Sequence, residues 1–446
     1  MLRALFVLAI LIPGFLAGCL HPFAALLLYV WYAMFRPEAW VWFDLASYRV
    51  SLIIGVLLLV RTLMSGILPT LKSAMVVWMG LFLIAATCSQ IQAIDPTLAW
   101  TRLDEFARML LVSVLTVTLV STPTRLFYFV AVLAGSFGIH SSKAGLVSMI
   151  AGGARLLEGL AGSFNDNNGY ALGTVMVLPL LIATAQNSPY KWLKLGFYAA
   201  VPLSTFAIIG LFSRGAFLGL GAALVVFILL QKRKATWLAV VAAVVWLGAT
   251  FAPIPEGYFE RISTIGQAST AVNEGEDIRD VSAAGRLHFW HVAIVMAEEN
   301  PFGVGLRNYE AAYDSYDDSG GRYGHRRAVH SSLFQVIAEM GFPGLFLYLV
   351  LFVQSAITVF RIRRRARRGD CSPEASALFF TMANAIAASQ AGFLVGGSFL
   401  ALAFNDVTWL TFGLLAALDR VSRSMCESTV PARVAAASPA ARVAFS

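Results

Sequence analysis

Apolar runs fill most of the chain, separated by short polar breaks. A helix needs about 20 apolar residues to cross a hydrocarbon core, and windows of that kind recur near residues 4–20, 22–35, 50–66, 73–89, 107–121, 125–140, 169–186, 193–212, 215–231, 235–252, 331–359, 376–395 and 399–418. The first two are short and parted only by His21-Pro22. The pattern predicts an all-α polytopic membrane protein with about 12 transmembrane helices, in the range of about 11–13. Residues 1–252 form an N-terminal bundle, 253–330 a large external loop with helices of its own, 331–419 the C-terminal spans, and 420–446 an Ala/Arg/Ser/Pro tail expected to be disordered and cytoplasmic.

Within the loop, Ser282 to Glu299 reads as a helix. Ser282 is an N-cap, Phe289, Val292 and Met296 recur at helical spacing, and Asn300-Pro301 stops it. Arg286 and Trp290, four apart, share one face. Pro301-Phe302-Gly303-Val304-Gly305 is a turn-rich link, and the Tyr/Asp/Gly-rich stretch from Tyr313 to Tyr323 reads as a mobile loop. After His330 the chain re-enters an apolar span whose first turns are interrupted by Glu339, Gly341, Pro343 and Gly344, so they face protein or water rather than lipid.

Composition sharpens this picture. Of 446 residues, 58% are hydrophobic and 13% charged, with a mean hydropathy of +0.73, which excludes a set of soluble domains. The net charge is +8 from 33 Lys+Arg and 25 Asp+Glu. Residues 253–330 hold seven arginines, no lysine and twelve acids, a net −5, so the remainder carries +13. The basic excess therefore lies in short loops, notably Arg361 to Arg368 and Lys232-Arg233-Lys234, which the positive-inside bias places in the cytoplasm. Strict alternation then puts 164–168, Arg214 and 253–330 outside, although Arg3 disagrees at the N-terminus. Nucleic acid is not an expected partner.

Cys19, Cys88, Cys371 and Cys426 lie far apart, with no CxxC and no Cys/His cluster, so no disulfide framework, zinc site or redox chemistry is predicted. Leu16-Ala17-Gly18-Cys19 resembles a lipoprotein processing box, but the run around it reads better as a retained span.

Four external features carry candidate chemistry. Arg214 opens a span beside Gly215, where it is either a snorkelling charge or a planar donor fork for an anion. Arg286 offers a second fixed positive charge, or a partner for one of the loop's acids. His330 stands where loop becomes helix; the macrodipole disfavours its cationic form there, which suits a general base. Asn165, Asn167 and Asn168 crowd side-chain amides at the mouth of a span, where they fit sugar hydroxyls or ordinary caps. Trp290 and Arg307 are taken as further substrate-binding residues. His288 and His291 lack a third ligand close in sequence, and Asp314, Asp317 and Asp318 sit in what reads as a solvated loop, so no metal is assigned. No Walker loop, nucleophile elbow or dinucleotide fingerprint is present.

Ser213-Arg214-Gly215, Gly285 to Trp290, Asn300 to Gly305, His330-Ser331-Ser332-Leu333 and Glu339 to Gly344, in this order, resemble the O-antigen ligase/polymerase superfamily. The Gly162 to Tyr170 segment is similar to the branch of O-glycosylation ligases associated with exosortase systems. The resemblance implies a GT-C-like fold in the bacterial inner membrane and inverting, metal-independent transfer of a glycan from undecaprenyl diphosphate at the periplasmic face. No cofactor is expected. By matched position it assigns the donor diphosphate to Arg214 and Arg286 and acceptor activation to His330. The acceptor it implies is the lipid A core or another glycan, with membrane lipid as surroundings. O-antigen polymerase and protein O-glycosylation ligase remain alternatives inside the class, and a transporter outside it.

Overall fold

The computed structural model describes residues 2–251, 283–368 and 371–437, apart from Phe43, Ala46 and Ala161. It is nearly all helical. In chain order the helices are α1 (Leu2–Leu20), α2 (Pro22–Phe35), α3 (Val50–Met64), α4 (Ala74–Ser89), α5 (Pro96–Leu119), α6 (Pro123–Ile150), α7 (Asn167–Asn187), α8 (Lys191–Gly210), α9 (Arg214–Leu230), α10 (Lys234–Phe251), α11 (Ala283–Glu299), α12 (Tyr309–Tyr316), α13 (Ser332–Arg368), α14 (Pro373–Gly396) and α15 (Asp406–Ala437). A short antiparallel hairpin, β1 (Glu158–Leu160) with β2 (Phe164–Asp166), precedes α7.

Seven described helices are long and apolar enough to cross a membrane, and α2, α3, α9 and α10 are shorter apolar helices. Several starts follow from one local rule. Asp95, Thr122 and Ser372 each cap the helix that follows by accepting a backbone N–H, and each is followed by a proline. Proline fits the first helical position because its missing N–H would go unpaired there anyway. This device starts α5 at residue 96, before the charged Arg102, Asp104, Glu105 and Arg108, rather than at 107 as the apolar window suggests.

α7 is buried almost all round and forms the centre of the bundle. Beside it, α9 and α14 cross closely through facing small-residue pairs, Gly215 and Gly219 against Gly392 and Gly396. A Cβ on Gly219 would lie 2.7 Å from the Gly392 carbonyl oxygen. Such contacts replace the hydrophobic drive that lipid does not supply.

Hydrogen bonds tie chain segments together at two opposite groups of helix ends. One group holds Arg36 with Asp406 (2.7 Å), Asp95 with Asn308, Asn167 with Leu211 and Ser332 with Leu400. The other holds Thr70 with Thr118, Asn187 with Thr381, Arg363 with Leu230 and Arg420 with Val117.

The structure revises four expectations. The helix anticipated to end near 418 continues to Ala437, because Asp419 pairs with Arg365 (2.8 Å) and Arg423, while Arg420 donates to the carbonyls of Val117 and Thr118. Arg363 is more than a loop anchor: it is buried on α13, donating to Leu230 O and Asn384. Cys371 and Cys426 are joined by a disulfide, which their separation of 55 residues concealed. The Tyr313–Tyr323 stretch is not a free loop, since α12 occupies its start and Tyr313 is fully buried. Ser282 and the segment 252–282 lie outside the described residues.

The most constrained backbone lies in α13. Gly341 has φ 67° and ψ −166°, which interrupts the helix. Pro301 to Gly305 fills the break: Val304 and Gly305 N–H donate to Ala338 O (3.0 Å) and Glu339 O (3.2 Å), and Phe342 N–H donates to Pro301 O (3.1 Å). A Cβ on Gly341 would fall 1.9 Å from Pro301 O, and one on Gly303 would fall 2.4 Å from the Glu339 carbonyl.

Gly341→Ala is therefore expected to cost about 1–3 kcal/mol from backbone strain alone, before the clash. By contrast Gly80→Ala, in open space on α4, should be neutral or stabilising by up to about 1 kcal/mol. Thermal unfolding of the detergent-purified variants checks both, and equal stability of the two would refute the account.

Candidate functional site

The same group of ends gathers most of the sequence-predicted residues. Its hub is the turn between α14 and α15. Ser332 Oγ at the start of α13 donates to Leu400 O (2.7 Å) and accepts from Leu402 N–H, and Ala403 N–H donates to Gln335 Oε1 (3.1 Å). The start of α9 packs on this turn, since a Cβ on Gly215 would lie 3.1 Å from the Phe399 Cβ. The start of α7 also reaches it, with Leu402 Cδ1 3.5 Å from a Cβ placed on Gly169.

Arg214 is the first residue of α9. Ser213 caps the helix by accepting from Ala216 N–H (3.3 Å), and Phe212 before it takes a left-handed φ of 54°, turning the chain sharply out of α8. Asn167 Nδ2 donates to Leu211 O (3.0 Å), which binds this turn to the mouth of α7. One of the predicted sugar-binding amides thus has a structural bond. Asn168 donates to Asn167 Oδ1 (3.4 Å), Asn165 lies exposed on β2, and Asp166 caps α7 through Gly169 N–H (3.0 Å).

His330 sits on the approach to α13 with φ 50°, a strained conformation for a residue with a Cβ. Its ring lies 6.3 Å from that of Phe289, whose side chain is fully buried in the cluster formed by α11, α12 and α13. Burial first, then the positive charges of Arg286 and Arg327, pushes the imidazole down to about 4, against a smaller opposing pull from Asp166. The ring is therefore neutral at pH 7 although cations surround it.

Arg286 and His330 are thus brought together, joined by two groups that sequence reasoning did not place there. Arg327, one of the loop's seven arginines, lies with its guanidinium carbon 5.7 Å from the Phe289 ring centre. Asp166 was read only as part of an amide-rich stretch. Arg327 is three residues from His330 along the chain, whereas Asp166 reaches it only through folding.

Trp290 stacks on Phe334 (5.0 Å between centroids, 10° between planes), and its buried indole N–H has no acceptor among the described residues. Arg307 stands exposed in a left-handed conformation, and its backbone N–H bonds the buried Glu339 carboxylate. A further arginine missed from sequence, Arg36, forms an ion pair with Asp406 (2.7 Å) and presses against Gly162. An apolar groove of about 730 Å³ lies apart from these residues, between α1, α2, α6 and α8, and its lining has no titratable side chain.

Comparison with known families gives two matches. Residues 199–349 match the O-antigen ligase family, and residues 2–185 match a family of unknown function (DUF5935). No curated protein matches the chain. The first match takes in Arg214, Arg286 and His330 together with both halves of the backbone insertion at Gly341. Its apolar helices and this match make it a membrane protein related to glycosyl-transfer enzymes. Over residues 199–349, the chain is similar to the O-antigen ligase family.

Proposed function

We propose that the protein transfers a glycan from undecaprenyl diphosphate to an acceptor hydroxyl, such as one on the lipid A core, at the periplasmic face of the inner membrane. The observation that carries this reading is a half-buried His330 kept uncharged between arginines. A neutral imidazole takes the proton from the acceptor hydroxyl as its oxygen attacks the anomeric carbon. The bond from that carbon to the diphosphate oxygen breaks, and inversion follows from the single displacement. Arg214 and Arg286 stabilise the negative charge that builds on the departing lipid diphosphate, acting as permanent cations with paired donors. Trp290, Arg307 and the amides of Asn165, Asn167 and Asn168 are assigned to holding the glycan and its carrier. Because donor and acceptor are both confined to the membrane surface, the displacement is a positioned one.

On this reading His330→Ala, Arg214→Ala and Arg286→Ala each lower transfer, His330→Ala by about 10²–10⁴-fold. Purified protein in liposomes, with lipid-linked glycan and acceptor, measures it. Parental rates in all three would remove the site assignment, and movement of donor across the bilayer without cleavage of its glycosyl bond would replace transfer by transport.

The pH profile gives a second test. His330 acts as a base only when unprotonated, so kcat/KM should hold as pH falls and decline only near pH 4, where the free enzyme's histidine titrates. Removing a nearby cation favours protonation, so Arg327→Ala should move that acid limb to higher pH. An unmoved limb would sever Arg327 from His330.

A further inference from the structure

The two weakest metal candidates of the sequence are neighbours in the fold. His288 and His291, three apart on α11, point from one face towards the turn that follows α12. His288 Nε2 lies 2.8 Å from Asp317 Oδ1, and Asp317 is itself held by the backbone N–H groups of Ser319 (2.9 Å) and Gly321 (2.9 Å). Tyr323 stacks on the imidazole (4.8 Å, 26°), so the ring has a fixed plane as well as a fixed partner. With its Nε2 proton given to Asp317, the opposite nitrogen carries a lone pair. That atom, Nδ1, faces Asp318 Oδ1 at 3.5 Å, and Asp318 Oδ2 lies 3.8 Å from His291 Nε2. Acceptors that face one another at this distance repel unless a proton or a metal cation lies between them.

We propose that His288 Nδ1, His291 Nε2 and Asp318 bind a divalent transition-metal ion of the zinc class, with Asp317 orienting His288 from behind. Ligands about 2.0–2.2 Å from a tetrahedral ion stand about 3.4 Å from one another, close to the 3.5 and 3.8 Å that separate Asp318 from His288 and His291. The nitrogen and carboxylate set suits zinc better than calcium or magnesium, which take oxygen ligands. A carboxylate behind a ligating histidine fixes its tautomer and raises its basicity. His288 and Asp317 are nearly buried, whereas His291 and Asp318 are 59% and 68% exposed, so the ion enters from solvent and keeps one position open. Bound there, it fastens the 317–321 turn to α11, upstream of the segment that leads to His330. The site is independent of the transfer reading and stands if that reading fails.

Zinc titrated calorimetrically into the purified, chelator-treated full-length protein should show one saturable ion per chain. His291→Ala and Asp318→Asn, both at exposed positions, should each weaken binding by more than about tenfold, and Asp317→Asn by about 10–100-fold. Zinc should also slow proteolysis within 317–323 in the parent and not in Asp318→Asn. The proposal is overturned if the parent binds no zinc, or if His291→Ala and Asp318→Asn bind it as the parent does. Parental affinity in Asp317→Asn would remove the orienting role.

Discussion

The end of the molecule that carries Arg286 and His330 depends on one backbone exchange, the insertion of Pro301 to Gly305 into the break of α13 at Gly341. A helix interrupted inside a bundle exposes carbonyls that water cannot reach, and an unpaired buried carbonyl is destabilising. Here the carbonyls of Ala338 and Glu339 are bonded by Val304 and Gly305, so the break is also a splice between the loop and the bundle. Asn308 extends the splice by bonding the backbone of Asp95 before α5. Helix α11 is thereby anchored from its C-terminal side, and the path back to His330 starts from a fixed point.

From that anchor follows the character of the site. Arg286 rides on α11, His330 precedes α13, and the buried ring of Phe289 packs between these elements. A histidine in this setting loses its proton for two separate reasons: burial withdraws hydration, and neighbouring guanidinium groups oppose a second positive charge. On the proposed reading, the same positive field that keeps the base neutral also receives the diphosphate. One electrostatic arrangement would then serve both halves of the displacement. The close crossing of α9 and α14 gives Arg214 an equally firm base, since the paired glycines leave those helices little room to shift.

Much of this was legible in the chain, for identifiable reasons. Apolar runs of helix length can only be helices in a bilayer, and each predicted run overlaps a described helix, although the run at 399–418 begins before α15. Phe289, Val292 and Met296 at helical spacing marked the buried face of α11 correctly. Arg214, Arg286 and His330 stood out because charge is scarce in such a chain. The Asp-Pro, Thr-Pro and Ser-Pro starts of α5, α6 and α14 were readable but went unread, which misplaced the beginning of α5. The continuation of α15 beyond 420 was not readable, because it rests on Asp419 meeting Arg365 from another helix. Nor was the order in the Tyr313–Tyr323 stretch, where Asp317 is held by His288 across 29 residues.

The division between the two is physical. Sequence alone determined what depends on neighbours along the chain: which segments are apolar, where caps and breaks fall, and which rare charges sit at the ends of spans. Tertiary structure decided what depends on groups far apart in sequence but close in space. It joined Gly303 to the Glu339 backbone, set Arg286 and Asp166 around His330, paired Cys371 with Cys426, and brought His288 and His291 to Asp317 and Asp318. Burial, fields and ligand sets act over ångströms of space, and no spacing along the chain encodes them.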